Sequence, residues 1–150
     1  MPTYNDYMLV AGHVNAATIQ GDPDNAVERW PLQSDQNPAR PWLPPTNRST
    51  FPRPARVVRT ADGNTHASGF YAFEWHFTYM TWGQLAYLDT LLSWSETVWS
   101  AAATVQTRDD RGEWQVYQVT AHRPDPADQR KADRGAGNVV IRFTNGVLLP

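Results

Sequence analysis

Cysteine is missing from this 150-residue chain. A disulfide scaffold, thiolate metal sites, iron–sulfur clusters and a cysteine nucleophile are therefore excluded. Long apolar runs are missing too, and none approaches the roughly 20 residues that a membrane-spanning helix needs. The first residues lack the basic and apolar regions of a secretory signal peptide, so we expect synthesis and folding in a cytoplasm.

A large excess of charge of either sign is also absent. Thirteen Lys and Arg residues stand against 15 Asp and Glu residues, which gives a formal net charge of −2. Proteins that bind nucleic acid by general electrostatic attraction usually carry a basic face. The composition therefore argues against such a binder, and the length fits one domain.

Proline is concentrated near the start of the chain, with nine of the 12 prolines in the first 54 residues. Because proline lacks a backbone donor and restricts the residue before it, residues 21–54 are not expected to form a helix or a central strand. This stretch also contains Trp30, Trp42, Leu43 and Phe51, too many large apolar side chains for a solvated linker. We therefore predict an extended arm that packs on its own domain or on a neighbouring subunit, and the alternative is a flexible surface loop.

The clearest strand signal is the strict alternation over residues 70–80, in which every second side chain is aromatic. Alternation with a period of two sends successive side chains to opposite faces of a strand. We predict that the aromatic face lies in the core, and the alternative is an exposed row of rings that stacks on sugars or bases. That face carries Tyr71, Phe73, Trp75, Phe77 and Tyr79.

Two hairpins and one helix complete the expected β domain. Residues 57–64 predict a strand that ends in an Asp-Gly turn, and residues 98–122 predict a second hairpin. Between them, Thr81 and Gln84 have the capping-box spacing ahead of a leucine stripe. This pattern predicts a single helix over about 82–94.

The end of the chain predicts a polar loop over 124–137, whose charges cancel, and a last strand over 138–144 before an Asn145-Gly146 pair. The predicted fold class is therefore mainly β: an antiparallel β-sandwich or barrel with one flanking α-helix and a long Pro-rich N-terminal arm. The predicted organisation is an extended N-terminal segment with the arm over 1–55, followed by the β domain over 56–150.

Residues with a catalytic signature are few. The four histidines show no metal-ligand spacing, and no nucleophile or phosphate-binding motif is present. Glu74 and His76 share one strand face, which would suit a base with an orienting acid. Such a pair is more often the polar side of a half-exposed strand. We therefore predict no catalytic residue, no metal, no cofactor and a protein that is not an enzyme.

One run of elements has a family likeness: the aromatic strand at 69–77, the helix opening at 80–85, the second hairpin and the apolar final strand. In this order and pattern, residues 69–146 resemble small virion structural proteins of long-tailed bacteriophages, of the tail-tube or distal-tail kind. Such proteins are β-sandwiches or barrels flanked by a single helix. They assemble as rings, usually hexameric, that stack into a conduit for DNA.

The resemblance implies a tail component that self-assembles into a ring forming part of the DNA conduit. Its partners would be further copies of itself, in a hexamer, and other virion proteins, with DNA only passing through the lumen and no membrane contact. The location would be the virion, assembled in the host cytoplasm. Rings need strand edges and arms that reach a neighbour. We therefore predict an oligomer interface at Trp30, Trp42, Leu43, Phe51, Phe70, Glu74 and His76.

Two other functions fit the same sequence. A capsid decoration protein would also be a small β domain with an extended arm, but it would form trimers on the capsid lattice. A sugar-binding β module for host attachment would expose tryptophan side chains close together in a groove.

Overall fold

The computed structural model describes residues 7–20, 29–30 and 52–149. The architecture is mainly β, as the sequence predicts. Along the chain the elements are β1 (Met8–Ala11), α1 (Ala16–Ile19), β2 (Arg29–Trp30), β3 (Arg53–Arg59), β4 (Thr65–Thr81), α2 (Trp82–Leu92), β5 (Ser100–Arg108), β6 (Trp114–His122), a 3-10 turn (Pro126–Asp128), β7 (Arg130–Ala132) and β8 (Gly135–Leu148).

The strands form one antiparallel sheet in the order β2-β1-β5-β6-β8-β4-β3, and the short β7 pairs with the first residues of β8. Both predicted hairpins are confirmed, as β3 with β4 and β5 with β6. β1 and the first residues of β3 precede residue 56, so the sheet includes part of the segment predicted as an arm. Within the predicted N-terminal segment, residues 1–6, 21–28 and 31–51 lie outside the described residues.

The sheet curls so strongly that its two halves meet across the concave side. Tyr7, just before β1, packs edge-to-face on Trp75 of β4 with ring centroids 5.9 Å apart. In the strand order, β5, β6 and β8 all lie between β1 and β4. Helix α2 contacts β1, β4, β5 and β8, so it covers the concave side. The result is a half-barrel closed by a helix, with the core between them.

The aromatic face of β4 lies in that core, which confirms the prediction for its central rings. Tyr79 departs from the pattern and is 37% exposed. Its ring lies against the backbone at Gly135, close enough that a Cβ there would be 2.7 Å from its hydroxyl oxygen. The fully buried rings, each at most 3% exposed, are Phe73, Trp75 and Phe77.

Helix α2 begins at the predicted capping box. The Thr81 hydroxyl accepts a hydrogen bond from the Gln84 backbone amide at 3.2 Å, and the Gln84 side chain accepts one from the Thr81 amide at 3.0 Å. The helix ends at Leu92, because Ser93 adopts a left-handed conformation with φ 55°. Its buried side is leucine, as the stripe predicts: Leu88, Leu91 and Leu92.

A second, one-turn helix accompanies the predicted one. The Asn15 side chain caps α1 by accepting a hydrogen bond from the Thr18 amide at 2.9 Å. Ile19 at its end is fully buried and packs with Met8 and Val10 on the convex face of β1. A small second core therefore lies outside the half-barrel.

The prediction of a polar loop over 124–137 is wrong. The segment contains the 3-10 turn, the whole of β7 and the start of β8, which runs over Gly135–Leu148 and not only over 138–144. Its small residues show no alternation of apolar and polar side chains, which is the usual signature of a strand. Gly135 sits between two strands with no room for a side chain, since a Cβ there would lie 2.2 Å from the Met80 carbonyl oxygen.

Asn145 and Gly146 form a bulge within β8. Asn145 has φ 54°, a left-handed conformation that asparagine tolerates better than most residues. The pairing with β4 shifts there, because Tyr71 pairs with Gly146 while Phe73 pairs with Phe143. The pairing with β6 shifts at the same place. The extra residue bends β8 and increases the local twist, which helps the sheet to curl.

Candidate functional site

β4 is longer than the sheet that carries it. Its pairing with β8 starts at Tyr71, whereas its pairing with β3 continues back to Thr65. Among the strands that the structure describes, β3 alone pairs with β4 before Tyr71. Residues 56–68 therefore form a two-stranded ribbon beyond the sheet, which we call the projecting hairpin. A two-stranded ribbon is marginally stable by itself in water, so contact with another surface would stabilise it.

The tip of the projecting hairpin is held in shape by Asp62. Its carboxylate accepts hydrogen bonds from the Thr60 hydroxyl and, at 3.0 Å each, from the backbone and side-chain amides of Asn64. These bonds favour the ionised carboxylate and lower the pKa of Asp62 below its ordinary value. Gly63 supplies the positive φ of 84° that the turn requires. The tip is therefore a defined, ordered turn.

A hydrophobic patch lies at the base of the projecting hairpin. Gly69 has φ 90° within a bulge of β4, and Phe70 beside it is 55% exposed. The next residue, Tyr71, pairs with Gly146, and Val147 follows Gly146 in β8. Val147 is 45% exposed. We call Phe70 and Val147 the hairpin-base patch.

Glu74 and His76 lie on the convex face of β4, opposite the core. One carboxylate oxygen of Glu74 accepts a hydrogen bond from Arg142 Nε at 3.2 Å, and the other lies 2.9 Å from His76 Nε2. The Glu74 and His76 side chains are each 33% exposed. The register places Arg142 between Glu74 on β4 and His122 on β6. The predicted Glu74–His76 pair exists, as part of a polar row on a half-exposed sheet face.

A groove of about 350 Å³ runs between α2 and the segment that follows β6. Trp82, Leu85 and Ala86 of α2 form one wall, and Pro124 and Pro126 lie in the other. The Trp82 side chain is 41% exposed, and its indole nitrogen donates to the Asp133 carbonyl oxygen at 3.1 Å. This hydrogen bond fixes the ring at one end of the groove. We call the feature the tryptophan groove.

An ion pair lies within the same groove. The Arg123 guanidinium donates to both carboxylate oxygens of Asp89, at 3.3 and 3.4 Å. On its other side, the guanidinium carbon lies 5.8 Å from the ring centre of Trp99, which is 42% exposed. The Trp99 indole is itself fixed by a hydrogen bond of 2.8 Å to the Glu96 carbonyl oxygen. The groove therefore combines apolar walls with a positioned carboxylate and guanidinium.

A second depression, of about 550 Å³, lies beside the β5–β6 turn. Asp109 shapes this turn by accepting hydrogen bonds from the amides of Arg111 at 2.9 Å and Glu113 at 3.0 Å. Burial alone would raise the pKa of Asp109, but these bonds outweigh it and the pKa lies below its ordinary value. Burial and the neighbouring Tyr71 raise the pKa of Tyr117 in the same depression to about 12. The Asp109 side chain therefore stabilises the β5–β6 turn.

The seven predicted interface residues fall into three groups. Phe70, Glu74 and His76 lie within seven residues of one another on β4 and are at least partly exposed. Trp30 is in β2, where its backbone pairs with Leu9. The others lie outside the described residues: Trp42, Leu43 and Phe51. The interface as a whole stays a prediction.

Sequence reasoning did not single out Trp82 and Trp99. A signal for Trp82 was present, because it stands in the first turn of α2 next to the leucine stripe that fills the core. The groove itself depends on the segment after β6 folding back beside α2, and no local pattern predicts that approach.

Within the described ranges, no group of three or more acidic, histidine or cysteine side chains is placed to hold a metal ion. Nor does the described part of the chain include a helix with the length and apolarity to cross a membrane. No family model, no curated protein and no solved structure matches the chain. Function is therefore inferred from the surfaces described above.

Proposed function

We propose that this protein is a structural subunit of the tail of a long-tailed bacteriophage, and that its copies assemble into a ring around the path of the DNA. The observation that carries the proposal is the projecting hairpin with the hairpin-base patch. A ribbon that leaves its own sheet, next to the exposed Phe70 and Val147, has the form of a contact surface for a neighbouring subunit.

A ring requires two different surfaces on each subunit, so that every copy contacts the next in the same way. The projecting hairpin supplies one of them. A strand edge supplies the kind of surface that receives it, because an edge strand presents unpaired backbone donors and acceptors. β2 and β3 are the two ends of the strand order in the described sheet. Docking of the hairpin would also bury Phe70, at a gain of roughly 1–2 kcal/mol in each interface.

The charge of the chain suits a conduit. A lumen through which DNA moves must not hold the phosphate backbone, and binding to phosphates comes from clustered lysine and arginine. The chain has a formal net charge of −2. The β-rich half-barrel with a helix on one side also agrees with the architecture that the resemblance implies.

The test is the mass and symmetry of the purified protein, by light scattering and negative-stain class averages. We expect six-fold rings or stacked tubes. Trimers that bind capsids would support a decoration protein instead, and a stable monomer at high concentration would contradict self-assembly.

Substitutions at two valines of similar exposure test which surface makes the contact between subunits. Val147→Glu places a charge in the hairpin-base patch, and we expect it to abolish rings, as we expect of Phe70→Glu. Val98→Glu is the control, because Val98 is equally exposed, at 48%, but lies in the loop before β5. Rings that survive both patch substitutions would show that the patch is not the interface.

A further inference from the structure

The tryptophan groove offers more hydrogen-bonding groups than its own fold uses. Its polar lining consists of Asp89, Arg123, Gln129 and Lys131. Asp89 and Arg123 are paired with each other, at 3.3 and 3.4 Å. Within the described ranges, neither the Gln129 side chain nor the Lys131 ammonium group has a hydrogen-bond or ion-pair partner. The groove therefore holds an amide and an ammonium group that are available to a ligand.

The charges that line the groove do not cancel. The Asp89 carboxylate is matched by the Arg123 guanidinium, so the Lys131 ammonium is the uncompensated charge of the lining. An ammonium group forms its strongest hydrogen bonds with an anionic acceptor such as a carboxylate. A ligand that complements the groove should therefore carry a negative charge.

The exposed ring of Trp82 favours a ligand with a flat apolar face. The indole is 41% exposed, and its hydrogen bond of 3.1 Å to the Asp133 carbonyl oxygen holds it in one orientation. Leu85 and Pro126 extend the apolar surface beside it. A side chain that is apolar in its body and polar at its edge binds well to groups of the same kind. A pyranose ring has this character, because its faces carry C–H groups and its edge carries hydroxyls.

The other polar groups of the groove suit hydroxyls. A hydroxyl both donates and accepts hydrogen bonds, so it needs partners of both kinds. The Asp89 carboxylate, whose side chain is 34% exposed, accepts, and the Gln129 amide donates. An aromatic carboxylate without hydroxyls would desolvate Asp89 and give it no donor, which costs free energy. The volume of about 350 Å³ lies within the range of small-molecule sites.

We propose that the tryptophan groove binds an acidic saccharide, that is, a sugar chain that carries a carboxylate. One sugar ring lies on Trp82, and the carboxylate pairs with Lys131. Hydroxyls of the sugar bind Asp89 and Gln129. This inference goes beyond the proposed function and does not depend on it, because the groove shares no residue with the hairpin-base patch.

Isothermal titration calorimetry of the full-length protein tests the proposal. The acidic probes are trigalacturonate and sialyllactose, and their neutral counterparts are the methyl ester of trigalacturonate and lactose. We expect saturable binding of at least one acidic probe, with roughly tenfold lower affinity for its neutral counterpart, since the charge-assisted bond is lost. Binding of neither acidic probe, or equal affinity for an acidic probe and its counterpart, would overturn the proposal.

A pair of substitutions in β7 tests the role of the charge. Lys131→Met should lower the affinity for the acidic probe to that for the neutral one and leave the neutral one unchanged. Arg130→Met is the matched control, because Arg130 is the exposed neighbour of Lys131 and does not line the groove. It should keep the affinity within about twofold. Equal losses from both substitutions would reveal attraction by the overall charge and would overturn the site.

A pair of tryptophan substitutions tests the contact with the sugar ring. Trp82→Ala should lower the affinity for the acidic probe by roughly tenfold, because the apolar face of the sugar loses its partner. Trp99→Ala is the control, since Trp99 is equally exposed, at 42%, but does not line the groove. Its removal leaves Arg123 paired with Asp89, so the affinity should stay within about twofold. Unchanged affinity in Trp82→Ala would overturn the proposal.

Discussion

Trp75 Nε1 donates a hydrogen bond to Thr107 Oγ1 over 3.2 Å, and this bond connects β4 to β5 across the concave side of the sheet. In the strand order, β6 and β8 lie between those two strands. The Trp75 ring is 1% exposed and also meets Phe143 of β8 edge-on, with centroids 5.1 Å apart. The Trp75 side chain thus contacts strands on both sides of the half-barrel.

Trp75→Ala should therefore lower the free energy of unfolding by about 3–5 kcal/mol, the usual cost of removing a large buried aromatic ring. The loss combines the transfer of the ring to water with a cavity between β4, β5 and β8. Urea denaturation of the purified domain measures it. A loss below about 1 kcal/mol would show that the aromatic face of β4 is not the core.

Two further substitutions distinguish the contribution of this hydrogen bond to stability from the contribution of the buried ring. Thr107→Val keeps the volume of the side chain but withdraws the acceptor from a buried N–H group, which should cost about 1–3 kcal/mol. Trp99→Ala is the control, because this ring is 42% exposed and its removal should cost less than about 1 kcal/mol.

The parts of the fold that sequence reasoning predicted are those with a local signal. The alternation around Phe73, Trp75 and Phe77 identifies a core face from spacing alone, and Thr81 with Gln84 identifies the start of α2. The curl of the sheet has no such signal. It depends on contacts such as Trp75 with Thr107, between residues 32 positions apart, and on a bulge whose residues resemble a turn.

The features of the candidate site divide in the same way, into those with a local sequence signal and those without one. Phe70 was predicted as an interface residue, and its 55% exposure agrees with the alternation of β4, which puts Phe70 on the same side as Glu74 and His76. The pairing of Glu74 with His76 was visible from their spacing. The tryptophan groove was not, because Trp82 and Pro124 come together only when the chain after β6 returns to α2.

A pair of glycine substitutions tests the close approach of β4 and β8. In Gly135→Ala the new Cβ would lie 2.2 Å from the Met80 carbonyl oxygen and 2.7 Å from the Tyr79 hydroxyl, so a backbone must shift. We expect a loss of about 1–3 kcal/mol in the free energy of unfolding, as for other overpacked sites. The measurement is the urea midpoint.

Gly83→Ala is the matched control. Its nearest neighbour would be the Thr81 hydroxyl oxygen at 3.9 Å, and it lies in the first turn of α2. Because alanine favours a helix over glycine by up to about 1 kcal/mol, stability should be unchanged or increased. Equal midpoints for the two variants would contradict the tight β4–β8 approach at Gly135.

The last prediction concerns alkaline pH and Tyr117. Burial, with Tyr71 close by, raises the pKa of this phenol from 10.0 to about 12 in the folded protein. Below pH 10 the phenol is protonated in both states, and its contribution to stability is fully present. As the pH rises from 10 to 12, the unfolded chain loses this proton before the folded protein does. The unfolded state is therefore stabilised relative to the folded state, and the free energy of unfolding falls.

Tyr117→Phe should remove this part of the pH dependence. The ring that packs on Phe73 and Tyr71 is kept, with centroids 5.5 and 5.2 Å apart, but the ionisable hydroxyl is gone. Urea midpoints from pH 8 to 12 should therefore fall less steeply above pH 10 than those of the unsubstituted protein. Tyr79→Phe is the control, since Tyr79 is 37% exposed and its removal should leave the steep fall intact. Parallel curves for Tyr117→Phe and the unsubstituted protein would show that Tyr117 ionises as readily in the folded protein as in the unfolded chain.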